Sequence, residues 1–160
     1  MTIAIIIVVV VVLGIIVSIA SPLLAASTGS KVGSAFDRAY AAEFGAAPPA
    51  SASRAVANGV GIISAFVARS KKEQELGRER LANAVSEYGD AVGWNESKME
   101  VGLLCMSAVC FTQNGTVAPG YGWAVEVLEN AFVRYCPSAM RCAWCYPSGR
   151  RKRLRRASRL

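Results

Sequence analysis

An uncharged apolar run near the first residue constrains this chain more than any other feature. The run from Ile3 to Ala20 consists mainly of isoleucine and valine and carries no charged side chain. A bilayer core about 30 Å thick is crossed by about 20 helical residues, and positions 2–21 supply that length. Within lipid every backbone group must be bonded inside the segment, which favours a helix despite the low helix propensity of β-branched residues. The sequence therefore predicts a single transmembrane helix within residues 1–26.

The same run has two competing interpretations, a cleaved signal peptide and a buried soluble helix. A signal peptide has a basic segment and then an apolar core of about 7–15 residues. Here the core is longer and only the α-amine supplies positive charge before it, but the small residues Ala25, Ala26 and Ser27 follow it. For a retained span, Lys31 and Arg38 on its carboxyl side predict, by the positive-inside rule, that the bulk of the chain lies on the cytoplasm-like side.

A block of positive charge occupies the other end of the sequence. Residues 150–160 hold seven basic side chains and no acidic one, whereas the rest of the chain has 11 of each. Each lysine or arginine close to an anionic leaflet contributes about 1 kcal/mol of binding, and the same charges would bind nucleic-acid phosphates without reading sequence. A solvated tail without a partner is the third interpretation. The candidate membrane or polyanion contacts are Arg150, Arg151, Lys152, Arg153, Arg155 and Arg156.

The cysteines do not form a recognisable metal or redox motif. Two residues separate Cys142 from Cys145, as in metal-binding knuckles, but a structural zinc needs four ligands and no second pair has that spacing. The absence of histidine from the chain excludes Ser-His-Asp and Cys-His catalytic sets. Cys136, Cys142 and Cys145 stand among aromatic residues just before the basic block, which makes them candidate lipidation sites. No metal ion or other cofactor is expected.

Three further candidate modifications depend on which side of a membrane the chain occupies. Arg155-Arg-Ala-Ser158 fits a basophilic kinase, and a phosphate on Ser158 would weaken an electrostatic contact with lipid. Asn95 and Asn114 begin glycosylation patterns that matter only in a lumenal or extracellular chain. Glycans on these asparagines would therefore reverse the predicted orientation.

Apolar spacing predicts a mainly α-helical chain between these two ends. Residues 27–53 are interpreted as a linker with one short helix through Phe36, Tyr40 and Phe44, and residues 54–136 as a small helical domain. Residues 137–160 form the tail that contains cysteines, aromatic residues and the basic block. Two apolar seams, one through Val56, Val60, Ile63 and Val67 and one through Leu81, Val85, Tyr88 and Val92, are in register because Val67 and Leu81 are 14 positions apart. This pattern is typical either of one long amphipathic helix or, as we favour, of two helices interrupted near Gly77.

The last two helices are predicted from capping signals and periodicity. Ser97-Lys-Met-Glu100 fits a capping box before an apolar helix face, with Asn114-Gly115 as its end; a β-hairpin turning at Asn114-Gly115 is the alternative. Periodic apolar residues predict the final helix over Trp123–Tyr135, and Pro137 follows it.

These features favour a binding or structural role over catalysis. No Gly-rich phosphate loop or catalytic set is recognisable, so we expect a non-enzymatic, single-pass accessory or structural subunit of a membrane assembly, such as an organellar complex or a viral envelope. Its partners would be the bilayer, other subunits of that assembly, and anionic lipid or nucleic acid at the tail. The alternatives are a secreted or lumenal disulfide-containing binding protein with a cleaved leader, and a membrane-tethered nucleic-acid binder.

Overall fold

The computed structural model describes residues 31–138, and these are mainly helical, as the sequence predicts. Five helices make up most of this part: α1 at residues 31–44, α2 at Ala50–Phe66, α3 at Lys71–Val92, α4 at Glu96–Ala108 and α5 at Gly122–Tyr135. None of these five helices combines the length and the apolar character required to cross a bilayer. The predicted span within residues 1–26 lies outside the described residues, as do residues 139–160 of the tail.

All five helices share one apolar core centred on Tyr88. This residue of α3 is fully buried, and its ring meets that of Phe36 from α1 edge-on, with 5.8 Å between centroids. The Tyr88 hydroxyl donates a hydrogen bond to the Lys98 carbonyl of α4. Gly102 faces the same ring, so closely that a Cβ there would overlap it. Phe36 is buried in this core, although it precedes residue 54, where the sequence placed the start of the helical domain.

The chain does form two helices from its longest periodic segment, but the interruption near Gly77 was wrong. The break falls at residues 67–70, and Gly77 is buried inside α3 against Phe66 and Trp123. Ser70 and Glu73 form a reciprocal capping box that starts α3. This box fixes the helix start, while the missing Cβ of Gly77 makes room for the two aromatic rings.

The structure also corrects both ends of α4. Asn95, not Ser97, is the N-cap, because its side chain accepts a hydrogen bond from the Lys98 amide at 3.1 Å. The helix ends at Ala108, ahead of Asn114-Gly115. A tight turn follows, with one isolated antiparallel bridge between Phe111 and Val117; since the described residues form no strand here, the helix and not the hairpin alternative is correct for this segment. The final helix begins one residue before the predicted start and ends at the predicted Tyr135.

Contacts between the helices separate the two ends of residues 31–138 along the length of the bundle. Gly33 lies against Ala57, and the Ser53 hydroxyl hydrogen-bonds the Asp37 carboxylate, so α1 and α2 are antiparallel. The ammonium of Lys98, near the start of α4, lies 6.0 Å from the ring centroids of both Tyr40 and Phe44. The start of α4 is therefore next to the end of α1, and residue 31 lies toward the opposite end.

The chain leaves the described part beside the start of α4. The Ser138 amide donates a hydrogen bond to the Glu96 carboxylate at 2.6 Å, while Met106, further along α4, packs on Gly59 of α2. Ten residues of helix separate Glu96 from Met106, a distance of about 15 Å. We call the two regions the entry half, which contains residue 31 and the α2–α3 turn, and the exit half, which contains Ser138 and the start of α4.

Candidate interaction surface

Positive and negative side chains are unevenly divided along the helices of the bundle. Residues 69–80, which hold the end of the α2–α3 turn and the first part of α3, carry five basic and three acidic side chains, a net charge of +2. Residues 87–100, which hold the end of α3 and the start of α4, carry one basic and four acidic side chains, a net charge of −3.

The turn between α2 and α3 presents the densest group of exposed cations in the entry half. Arg69, Lys71 and Lys72 are all exposed, and Leu76 follows on the Lys72 side of α3 with 44% of its surface exposed. We call these four residues the basic tip. Among these residues only Arg69 forms an ion pair within the part of the chain that the structure describes, at 3.8 Å from Glu73. The positive charge of Lys71 and Lys72 is therefore available at the surface.

The acidic side chains near the basic tip are committed to contacts within the bundle. Glu73 accepts hydrogen bonds from the Ser70 hydroxyl and from the Ser70 amide, and these hold the pKa of its carboxyl below the ordinary value. Glu126 of α5 forms an ion pair with Arg78 of α3 at 2.8 Å, and Arg78 also lies 3.4 Å from Glu75. These contacts tie α3 to α5 and to its own cap, and they leave Lys71 and Lys72 without an ion pair among the described residues.

The exit half presents a different surface, built around Trp94. Trp94 has a positive φ of 54°, which is uncommon for a residue with a bulky side chain. Its indole N–H donates to the Asp90 carboxylate at 3.0 Å, its ring packs over Gly89, and the ring centroid lies 4.7 Å from that of Tyr135. These contacts hold the strained backbone in place, and they leave 40% of Trp94 exposed where the chain leaves the bundle.

Cys136 lies in the core of the exit half, against the start of α4. Its side chain is fully buried in the core, and its thiol points toward the Glu96 carbonyl at 3.7 Å. Burial, together with the negative charge of Glu96, raises the pKa of the Cys136 thiol to about 12. Burial raises the pKa of Cys105 to about 11 and that of Cys110 to about 12. These thiols are protonated and shielded at neutral pH, which disfavours attack on an acyl donor.

Two open grooves run along α3. The larger, about 680 Å³, lies between α2 and α3 and is lined by Arg54, Asn58, Glu87 and Asp90 among others. The other, about 420 Å³, lies between α3 and α5 beside the Arg78–Glu126 ion pair. Both grooves are bordered by solvated charged side chains. No three metal-ligating side chains come together anywhere in residues 31–138.

The structure places only some of the residues that the sequence singled out. Asn95 and Asn114 are exposed, but the Asn95 side chain already caps α4, and Asn114 lies in the turn after α4. Cys136 is a core residue rather than a surface thiol, so lipidation there would require the end of α5 to open. The basic residues of the tail, from Arg150 to Arg156, lie outside the described residues, together with Cys142, Cys145 and Ser158.

The basic tip and Trp94 did not stand out in the sequence. Basic residues and glutamates alternate through residues 69–80. This pattern is typical of a solvated helix face, so it gives no reason to expect a turn at Arg69, Lys71 and Lys72. A serine followed three residues later by a glutamate, as in Ser70 and Glu73, is the signal that could have located the turn. Comparison of the chain with protein-family models, curated proteins and solved structures gives no match.

Proposed function

We propose that this chain is a non-enzymatic, single-pass accessory or structural subunit of a membrane assembly. In this proposal residues 1–26 form the membrane span, the helical bundle lies on the cytoplasm-like side, and the basic tail contacts anionic lipid or another polyanion. The other subunits of the assembly bind the bundle. The proposal rests first on the apolar run, which has the length and composition of a span.

The observation that carries the proposed orientation is the charge that follows the apolar run. Lys31 and Arg38, with one acidic residue, Asp37, between them, lie within about 20 residues of the carboxyl side of the predicted span. Positive charge at this distance favours retention of that side in the cytoplasm. In the folded bundle the basic residues 69–80 lie in the same half as residue 31, and the acidic residues 87–100 include Glu96, which accepts a hydrogen bond from the Ser138 amide.

Alkaline carbonate extraction combined with protease protection of a C-terminal tag tests insertion and sidedness together. We expect the full chain to stay in the membrane pellet and the tag to be digested only when the cytoplasmic side is accessible. Release of the chain by carbonate, or a mature chain whose mass lacks the first residues, would refute the proposal. Glycans on Asn95 or Asn114 would refute the proposed orientation.

A further inference from the structure

The basic tip extends beyond the point where the chain enters the bundle. Gly33 lies against Ala57, and α2 continues for nine residues past Ala57 to Phe66, whereas residue 31 is only two positions from Gly33. At 1.5 Å per residue, the tip lies about 10 Å beyond residue 31, measured along the helix axes in the direction away from the exit half. A bilayer connected to residue 31 from that direction would meet the tip before the rest of the bundle.

The side chains of the tip suit the surface of an anionic bilayer. Arg69, Lys71 and Lys72 supply three exposed positive charges, and Leu76 adds an exposed apolar group one helical turn from Lys72. Basic residues next to an apolar side chain are the combination by which surface helices bind lipid headgroups and the first part of the acyl layer. The acidic groups nearest the tip, Glu73 and Glu75, are held by Ser70 and Arg78.

We infer that the basic tip binds the anionic headgroups of the membrane that carries the span, as a second contact that fixes the orientation of the bundle. This inference rests on the proposed function, because it requires residue 31 to lie near a bilayer. Each cation near an anionic leaflet changes binding about fivefold, so even Lys71 and Lys72, which form no ion pair among the described residues, are sufficient to favour one orientation of the bundle over others.

Lysine acylation of the full chain in vesicles measures this contact directly. The chain is inserted into vesicles of phosphatidylcholine, with or without phosphatidylserine, and treated with a membrane-impermeant lysine reagent. Mass spectrometry then gives the labelling rates of Lys71 and Lys72 relative to Lys98, which lies in the exit half and serves as the internal reference. We expect phosphatidylserine to lower this ratio at least about fivefold and high salt to restore it.

A matched pair of variants separates the tip from a general effect of charge. Arg69→Gln with Leu76→Ser removes one cation and one exposed apolar side chain from the tip but leaves both reporter lysines. Arg54→Gln with Val133→Ser makes the same changes in the exit half, where Val133 is 57% exposed. We expect the first variant to lose most of the protection of Lys71 and Lys72 and the second to keep it.

The result that would overturn the inference differs from the one that would overturn the proposed function. If the chain resists carbonate extraction and the labelling ratio is the same in both kinds of vesicle, the tip does not bind anionic lipid and the span remains. If carbonate extracts the chain from the vesicles, both the inference and the proposed function are wrong. Equal protection in the two variants would also exclude the tip as the contact.

Discussion

Substitution of Gly102 by alanine tests whether the core packs as described around Tyr88. A Cβ on Gly102 would overlap the Tyr88 ring and lie 2.7 Å from its hydroxyl oxygen. Tyr88 is fully buried and tied to the Lys98 carbonyl, so its ring has little room to move aside. Overpacking of this kind costs about 1–3 kcal/mol, and loss of the hydrogen bond about 1 kcal/mol. Alanine returns about 1 kcal/mol of helix propensity, which leaves a net loss of about 2 kcal/mol.

Gly61→Ala is the matched control for this experiment. Gly61 also lies inside a helix, but no atom lies within 4 Å of the position that its Cβ would occupy. The same substitution there should stabilise the bundle by about 1 kcal/mol, because only the propensity gain remains. The two variants should therefore differ by about 3 kcal/mol in the free energy of unfolding, or more than 10 °C in Tm for a bundle of this size.

Both variants are unfolded with urea as full chains in mild detergent. Circular dichroism and alkylation of the buried Cys110 monitor the transition and give the free energy of unfolding of each variant. Combining Gly102→Ala with Tyr88→Leu should cost less than the sum of the two single changes, since the smaller side chain relieves the overlap. If Gly102→Ala and Gly61→Ala stabilise the chain equally, Tyr88 does not pack on α4 in this way. The arrangement of α3 against α4 would then be wrong.

Three further predictions concern the helix cap and the buried thiols. Ser70 caps α3, so Ser70→Ala should lower the free energy of unfolding by about 1 kcal/mol. Ser97 caps no helix, so Ser97→Ala should change it by less than about 0.5 kcal/mol. A larger effect of Ser97→Ala in urea denaturation would favour the cap predicted from sequence. Because burial raises the thiol pKa of Cys110 to about 12, the folded chain holds its proton more tightly than the unfolded chain, so stability should be constant below pH 9 and fall above it by about 1.4 kcal/mol per pH unit for this thiol. Unfolding curves from pH 7 to pH 11 test this, and Cys110→Ala should reduce the slope by that amount. Cys136 should resist alkylation of the native chain at neutral pH and react after the bundle unfolds, and rapid native labelling located by mass spectrometry would show that its burial is wrong.

Local signals in the sequence were enough to locate most helices, but not to show how the helices pack or which residue caps each one. The seam through Leu81, Val85 and Tyr88 is buried as its spacing predicts, and the final helix ends at the predicted residue. Ser70 and Ser97 are each followed three residues later by a glutamate, so both fit a capping box. Only Ser70 forms one, because Asn95 already caps α4, and the sequence does not show this. Such choices depend on neighbouring backbone that only the fold supplies.

The distribution of charge could not be read from the sequence for a related reason. Counted along the chain, the part before the basic tail is neutral, because 11 basic residues balance 11 acidic ones. The antiparallel arrangement of α1 and α2 brings Lys31 into the same half as Arg69 and Lys71. The contacts of Trp94 with Asp90 and Tyr135 keep Asp90 in the half that contains Ser138. A net charge is a property of composition, whereas the arrangement of charges in the folded bundle is a property of topology.

The position of the α2–α3 break links core packing to this surface charge. A glycine in a helix interior costs about 1 kcal/mol relative to alanine, which made Gly77 a reasonable place for a break. In the bundle that cost is offset because the bare Cα lets Phe66 and Trp123 pack against α3. With Gly77 inside the helix, the break moves to Ser70, and Arg69, Lys71 and Lys72 lie at the outermost turn instead of along a continuous helix face. The contact that we propose with anionic lipid therefore depends on a glycine that lies in the core and touches no lipid.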